Sequence, residues 1–359
     1  MTRESTFDVV IIGGGIAGLT LAFSLLNRGL KPLIINDPND KNAASPATHG
    51  ISTIKGILES DQSLFGEKLA GHRGFLNWLR SVETAAGISR PNEVAVCGVR
   101  ESFINLKHFQ KEFGRIYRRD FTGAKCVTYS QGGPEFFSCF YPSDWWVKPE
   151  HLFQVLRRAV QRLGGVFMDD RVHAVTHKNS GEWTIESLRE ERDVRQLAIC
   201  AGAGTPALVK ELKILDEPIF AVSGWTFTAE ATEDMPARVK GTSGVVAKNG
   251  TLHWGSSSDP AVNLQDDLPA QPDSPADHLR VGTELLVKLG CDPANLNAQS
   301  VKPRFGVRCR SRGRAPIIKR ITRGKSFLYL NFAYYKSGMI LAWHNAEVLA
   351  DMIKDDYQR

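Results

Sequence analysis

The stretch Asp8-Val9-Val10-Ile11-Ile12-Gly13-Gly14-Gly15-Ile16-Ala17-Gly18-Leu19 joins an apolar strand to a helix through a Gly-x-Gly-x-x-Gly turn, the pattern that holds a dinucleotide. Gly13 permits the tight turn, Gly15 lets a pyrophosphate approach the backbone, and Gly18 lets helix and strand pack closely. The phosphates then sit on unpaired N–H groups at the helix N-terminus, which brings Ile16 and Ala17 into the same cradle. Outward from the turn, the sequence predicts a helix over Leu19 to Asn27, closed by Gly29, and a second strand over Lys31 to Ile35. An ordinary glycine-rich βα turn is the alternative, and the flanking strands and helix favour the binding reading.

At the end of the second strand a carboxylate normally accepts hydrogen bonds from ribose hydroxyls, whereas this chain has Asn36 followed by Asp37. Asn36 has the expected spacing from Gly18. An amide can still bond a hydroxyl, and Asp37 is available at the next position. The plainer reading is that Asn36-Asp37-Pro38 starts a turn.

With 359 residues and 42% hydrophobic content, the chain can bury a sizeable core and is long enough for two domains. No apolar run reaches the roughly 20 residues of a membrane span. The polar N-terminus leads directly into the first strand, so no secretory signal is expected and the location expected is cytoplasmic. Cys97, Cys126, Cys139, Cys200, Cys291 and Cys309 show neither a C-x-x-C pair nor metal-ligand spacing, so reduced thiols are expected, with no disulfide and no zinc or other metal. The net charge of +6 is concentrated. Lys302, Arg304, Arg308, Arg310, Arg312, Arg314, Lys319, Arg320, Arg323 and Lys325 fall in a segment without Asp or Glu. That asymmetry points to an anionic partner (cofactor phosphates, a carboxylate substrate or nucleic acid), against the alternative of a solvated basic surface.

Further along, 42–56 is irregular and a helix-like segment runs from Phe65 to Ala86. Short β-type runs such as Val94 to Val99, with Gly132-Gly133-Pro134, suggest a sheet outside the nucleotide-binding core. Glu150 to Leu163 has helical periodicity, Gly164-Gly165 stops it, and Val166 to Met168 begins a strand. Leu197 to Gly204 is an apolar strand ending in small residues that let backbone approach a ligand, or a plain strand-to-loop turn. Ile219 to Gly255 alternates as strands and Pro260 to Pro275 is a polar loop. Phe327 to Phe332 reads as a strand and Gly338 to Lys354 as an amphipathic helix. No Ser/His/Asp nucleophile arrangement stands out.

In order, these landmarks resemble the FAD-dependent glycine oxidase, D-amino-acid oxidase and sarcosine oxidase family over nearly the whole chain. The ordered set is the glycine turn, Ala44-Ser45 with His49-Gly50, Trp146-Val147-Lys148-Pro149 before a helix, Ala201-Gly202-Ala203-Gly204, Gly306-Val307-Arg308 with Pro316, and Lys336-Ser337-Gly338-Met339-Ile340. The resemblance implies an α/β fold (α+β overall). A discontinuous Rossmann-like FAD-binding domain is expected over 1–90, 141–215 and 300–359, and a substrate domain on a mixed, largely antiparallel sheet over 91–140 and 216–299.

The family chemistry is hydride removal by the flavin from the carbon next to an amine, then imine hydrolysis, with oxygen or another acceptor reoxidising the flavin. The resemblance places FAD against Gly13, Gly15, Ile16, Ala17, Gly18, Asn36, Asp37, Ala44, Ser45, Thr48, His49, Gly50, Ile51, Val172, Ala201, Gly202, Gly204 and Arg308. Gly338, Met339, Ile340 and Leu341 open the last helix, where free N–H groups favour the charge of a reduced flavin, or simply cap the helix.

Arg308 matches the family arginine that pairs with the substrate carboxylate. Lys336 falls where glycine oxidases carry a second arginine, and Tyr335 borders the pocket or packs in the core. Cys309 and Gly313 replace the family's proline and acidic residue. His49 immediately precedes Gly50, a spacing that argues for noncovalent contact with FAD rather than the covalent link of some relatives. The leading expectation is an oxidase or dehydrogenase of a small amino acid or N-substituted amino acid. The alternatives are a flavin oxidase of a carboxymethylaminomethyl-modified tRNA base, a 2-hydroxy-acid dehydrogenase, and a flavoprotein partner without independent turnover.

Overall fold

The computed structural model describes residues 7–53, 64–89, 95–103, 107, 110, 125–129, 136–231, 234–240, 243–264, 271, 274–289, 291–292 and 298–359. The Gly132-Gly133-Pro134 breaker and half of the 260–275 loop lie outside them. Its strands are β1 (Val9–Ile12), β2 (Pro32–Asn36), β3 (Ile51–Ser52), β4 (Ala95–Phe103), β5 (Lys125–Tyr129), β6 (Phe136–Val147), β7 (Val166–Asp169), β8 (Val172–His177), β9 (Trp183–Ser187) and β10 (Glu191–Val194). They continue with β11 (Gln196–Ile199), β12 (Phe220–Glu230), β13 (Met235–Lys240), β14 (Ser243–Lys248), β15 (Thr251–Ser258), β16 (Val262–Asn263), β17 (Lys302–Arg310), β18 (Ile317–Arg323) and β19 (Ser326–Phe332). The main helices are α1 (Ile16–Leu26), α2 (Phe65–Ala85), α3 (Pro149–Arg162), α4 (Ala276–Lys288) and α5 (Gly338–Tyr357).

The first sheet runs β18-β19-β11-β1-β2-β7 and is parallel except for β18. Its middle strand, Val-Val-Ile-Ile, is buried at every position, as expected of a parallel strand covered on both faces. On one face lie α1, α2, α3 and α5, whose apolar sides share one core with Val9 and Ile11. The N-terminal helix is apolar nearly all round, and its Thr20 hydroxyl returns to the Ile16 carbonyl at 2.7 Å, so the helix can be buried without an orphaned polar group. The opposite face, with Val10 and Ile12, packs on β8, β9 and the second sheet.

The second sheet follows the order β16-β12-β15-β14-β13-β4-β6-β3, with β17 on the other edge of β12 and β5 on β6. Every pairing is antiparallel except β13 with β4. Residues 51–52, 141–147 and 302–310 are hydrogen-bonded into this second sheet, although the sequence groups them with the nucleotide-binding segments. In 302–310 the pattern has a period of two: Phe305, Val307 and Cys309 are buried while Arg304, Arg308 and Arg310 stand on the other face. Among the described residues, no helix is long and apolar enough to cross a membrane, and Cys200, Cys291 and Cys309 are buried free thiols.

Candidate active site

The glycine turn enters α1 with each glycine constrained differently. Gly13 has φ +107° and lies so close to Cys200 that a Cβ would meet its carbonyl oxygen at 2.6 Å. A Cβ on Gly18 would fall 1.8 Å from the Gly13 oxygen, whereas one on Gly15 would meet only the Ser45 hydroxyl, at 3.0 Å. Gly15 therefore borders space that the chain itself leaves open, as a pyrophosphate cradle requires. The Ser45 hydroxyl accepts from the Ile16 N–H at 3.0 Å, and the amides of Gly15, Ala17 and Gly18 are left without intrahelical acceptors. FAD fits this cradle.

Asn36 is placed at the end of β2 with its Oδ1 accepting from the Gly14 N–H at 2.7 Å. That bond uses one of the two Oδ1 lone pairs and leaves the amide nitrogen as a donor. The Asp37 carboxylate instead accepts from the Asn39 N–H at 2.8 Å and closes the following turn. Val172 opens β8, and Gly202 to Gly204 form a short 3-10 turn after β11, with Ala201 just before it. At the start of α5 the Ile340 and Leu341 amides both donate to the Ser337 carbonyl, at 3.0 and 2.8 Å. That leaves Gly338 and Met339 as the amides without intrahelical acceptors, half of the set expected from the sequence.

The segment from Ala43 to Ser52 connects the two sheets, and three glycines on separate strands make room for it. A Cβ on Gly306 of β17 would meet the Ala47 Cβ at 2.5 Å, one on Gly255 of β15 the His49 ring at 2.9 Å, and one on Gly244 of β14 the Ile51 side chain at 2.3 Å. Alternate residues 47, 49 and 51 thus lie over a track of glycines across the sheet. Gly50, at φ +71°, pairs with Val147, whose N–H donates to the Gly50 carbonyl at 3.0 Å, and Trp146 donates to the His49 carbonyl at 3.0 Å. This track divides the sheet face into two compartments. On the side of Thr226, Thr228, His253 and Arg304 lies a cavity of about 430 Å³. Arg308 stands on the other side, so that cavity is not the compartment of the cations described next.

Arg308 projects from β17 toward Tyr335, with its guanidinium carbon 5.7 Å from the ring centre. Lys336 Nζ lies 5.5 Å and the Arg314 guanidinium carbon 5.9 Å from the same ring, all within cation–π range. Tyr335, at φ +51°, is held by its N–H donating to the Cys309 carbonyl at 3.0 Å. Burial lowers the Arg308 guanidinium, an effect offset by Tyr335 and Asp259. Lys336, exposed as a residue, is lowered by loss of water around its ammonium and then by Arg308 and Arg314. His49, partly buried, is pushed down to about 4, first by burial and then by Arg308 and Lys336. It is neutral at neutral pH. Sequence reasoning missed Arg314 and Asp259 as neighbours of Arg308. Asp259 accepts from the Ser223 hydroxyl at 2.6 Å and lies 3.3 Å from His278, and no spacing in the chain announces that meeting.

Tyr334 is buried, its hydroxyl donating to the Asn331 side chain, and both Trp145 and Trp146 are core residues. Under β3 the structure gathers Ser52, His72 and Asp144, a Ser/His/Asp grouping that the sequence does not reveal: Ser52 Oγ is 2.8 Å from His72 Nδ1 and Asp144 Oδ1 is 3.5 Å from Nε2. All three are buried. His72 and His253 are each held at about 4 against an ordinary 6.5, chiefly by burial. Below pH 6.5 the unfolded chain binds protons that the folded one refuses, so stability falls from pH 6.5 down to about 4. The slope is up to about 1.4 kcal/mol per pH unit for each histidine. Urea midpoints measured from pH 7 to 4.5 are expected to decline, and His72→Gln to flatten the decline; a midpoint constant over that range would contradict this assignment.

Comparison with known proteins gives the family and the fold. The family described as DAO, FAD dependent oxidoreductase, matches residues 8–352. Among solved structures, glycine oxidase from Geobacillus kaustophilus superposes with a TM-score of 0.80 at 17% identity, covering 97% of this chain and 95% of that one. Iminodiacetate oxidase from a Chelativorans species does so with a TM-score of 0.80 at 18% identity and the same coverage, 97% and 95%. These likenesses concern the fold. A flavin-containing amine oxidase of Oncorhynchus mykiss is 51% identical over 35 residues, 10% of this chain and 7% of that protein. A dual trans-enoyl reductase/FAD-dependent monooxygenase of Aspergillus terreus is 67% identical over 30 residues, 8% of this chain and 4% of that protein. With a family match spanning all but the ends of the sequence and a glycine cradle that admits the cofactor, the chain belongs to the DAO family of FAD-dependent oxidoreductases.

Proposed function

We propose that the protein oxidises the C–N bond of a small amino acid or N-substituted amino acid. The first sheet with α1 and α5 holds FAD, through the Gly13 to Gly18 cradle, Asn36, the segment from Ala44 to Ile51 and the start of α5. The site face of the second sheet holds the substrate. FAD, when bound, supplies the two-electron acceptor. The chain's own residues bind and orient: the Arg308 fork takes the substrate carboxylate by two parallel N–H donors, and Tyr335 borders it.

The observation that carries this reading is the cationic group of Arg308, Lys336 and Arg314 around Tyr335, beside a neutral His49. Such a group attracts a carboxylate and disfavours an ammonium beside it. The substrate nitrogen is thereby held as the free amine, whose lone pair is needed when the neighbouring carbon gives up hydride. The carbon loses a hydride and the nitrogen a proton, which leaves an imine. Water then adds to the imine carbon and the C–N bond breaks to carbonyl and amine. With oxygen as the final acceptor the second product is hydrogen peroxide.

Several of the basic residues in 302–325 are engaged elsewhere: Arg304 with Glu150 at 2.8 Å, Lys319 with Asp216 at 2.6 Å, and Arg320 with Asp356 at 3.0 Å. Their pairing weighs against a continuous nucleic-acid surface. The test is anaerobic bleaching of the flavin absorbance by amino acids, N-methyl amino acids, hydroxy acids and bulk tRNA. Amino acids or their N-substituted forms are expected to bleach it; bleaching by hydroxy acids or tRNA alone would overturn the reading.

A further inference from the structure

The cavity of about 430 Å³ on the other side of the 47–51 track from Arg308 has no part in the reaction proposed above. One wall is the face of the second sheet: Thr226 and Thr228 of β12 and Thr251 and His253 of β15 stand on the same side, because Thr228 pairs with His253 and side chains alternate. The opposite wall is the start of α3, with Lys148, Glu150 and His151. Lys148, the N-cap residue, makes no side-chain cap, Pro149 has no N–H, and the first intrahelical bond runs from the Leu152 N–H to the Lys148 carbonyl at 3.0 Å. The Glu150 and His151 amides are therefore without intrahelical acceptors, at the positive end of a helix dipole.

Two buried polar atoms of this lining have no partner among the described residues. One is Nε2 of His253, a residue only 5% exposed. The other is Oε2 of Glu150, whose Oε1 accepts from Arg304 at 2.8 Å. Glu150, Lys148 and Arg304 all act electrostatically on His253, so these groups share one neighbourhood. Buried polar atoms are ordinarily hydrogen-bonded, and leaving a charged one unpaired costs the most. Oε2 of a carboxylate only accepts, and a cationic donor bonds it best. The α3 amides only donate, and an anion bonds them best. An anion alone is repelled by Glu150 and a cation alone by Lys148 and the helix end. A small molecule with both poles satisfies both walls.

We propose that this cavity is a second, non-catalytic site for a free amino acid, bound as its zwitterion with the ammonium on Glu150 and the carboxylate on the α3 N-terminus beside Lys148. His253 and the threonine hydroxyls of the sheet wall supply further hydrogen bonds. The 47–51 segment separates this site from Arg308. His49 belongs to both compartments, lining the cavity while Arg308 and Lys336 act on it. The site goes beyond the amine-oxidising function and does not depend on it.

The probe is 2-aminoisobutyrate, a zwitterion whose α-carbon carries no hydrogen to give up. Calorimetric titration of FAD-loaded Arg308→Ala, in which the other compartment lacks its guanidinium, is expected to show one equivalent of saturable binding. Adding Glu150→Gln to that variant should weaken it about tenfold, the size of one charge-assisted hydrogen bond. Acetate and methylammonium should each bind at least tenfold more weakly than the zwitterion. Thermal denaturation and flavin content show whether the double variant is folded; if it is not, Thr228→Val in its place, which removes one hydroxyl from the sheet wall at nearly constant volume, should weaken the probe about threefold. Absence of binding to Arg308→Ala, an unchanged affinity in the folded double variant, or acetate binding as tightly as the zwitterion overturns the proposal. Each of these results leaves amine oxidation standing, since flavin bleaching decides that separately.

Discussion

Replacing Gly18 by alanine is expected to strip the protein of flavin and to unfold it at temperatures where the parent is intact. Alanine is the better helix former by about 1 kcal/mol, so propensity alone predicts the opposite. Contact decides the sign. The added methyl would stand 1.8 Å from the Gly13 oxygen, a backbone atom that cannot rotate aside, and overpacking of this kind costs about 1–3 kcal/mol or more. Relief requires α1 to lift from β1, which dismantles the centre of the first sheet. Gly15→Ala separates chain from cofactor. Its φ of −76° suits alanine, and the methyl would meet only the Ser45 hydroxyl at 3.0 Å, so the apoprotein should unfold within about 1 kcal/mol of the parent. Its FAD retention should nevertheless fall tenfold or more, because the open space beside Gly15 is the space a pyrophosphate takes. The flavin-to-protein absorbance ratio and thermal denaturation of apo and holo forms read both effects. A Gly15→Ala protein with the parent's flavin content would remove the basis for placing FAD there.

The parts of this site that are legible in sequence are those made by neighbours in sequence. The strand, turn, helix and second strand from Val9 to Asn36 are written in apolar periodicity and three glycines, and they fold where the pattern puts them. Residues 302–310 carry an equally clear period of two, but the alternating arginines and lysines read as a charge run, and the strand becomes visible only once Phe305, Val307 and Cys309 are seen buried. What no local pattern carries is register. Gly306, Gly255 and Gly244 serve one purpose, giving Ala47, His49 and Ile51 a surface to lie on, yet only Gly244 and Gly255 share a local hairpin, and Gly306 is brought beside them through β12 by pairings between segments tens of residues apart. Arg314 is hidden for a related reason: its return toward Arg308 depends on positive φ at both Arg314 and Tyr335, non-glycine positions for which sequence gives no warning. Asn36 shows a third kind of gap. Its position is legible, but its bond to the Gly14 amide, which engages Oδ1, is a property of the folded turn.

Removing the Arg308 fork is expected to lower kcat/KM for amino-acid substrates by about 100- to 1000-fold, the weight of a desolvated two-point contact with a carboxylate. Flavin content should stay near that of the parent, because Arg308 stands on β17 of the second sheet while the pyrophosphate cradle belongs to the first. Charge and shape are then separated by Arg308→Lys. An ammonium keeps the attraction but presents one point where guanidinium presents two parallel donors, so it should recover part of the loss in KM and little of the orientation that kcat depends on. A second consequence follows from the shared electrostatics. Burial chiefly holds His49 at about 4, and Arg308 is the first of two cations that add to it; without Arg308 the lowering eases in part, and the acid limb of the kcat/KM profile should move modestly to higher pH in Arg308→Ala where protonated His49 impairs the site. Flavin loss equal to the loss of activity would instead make Arg308 a structural support, and its place at the carboxylate would be withdrawn.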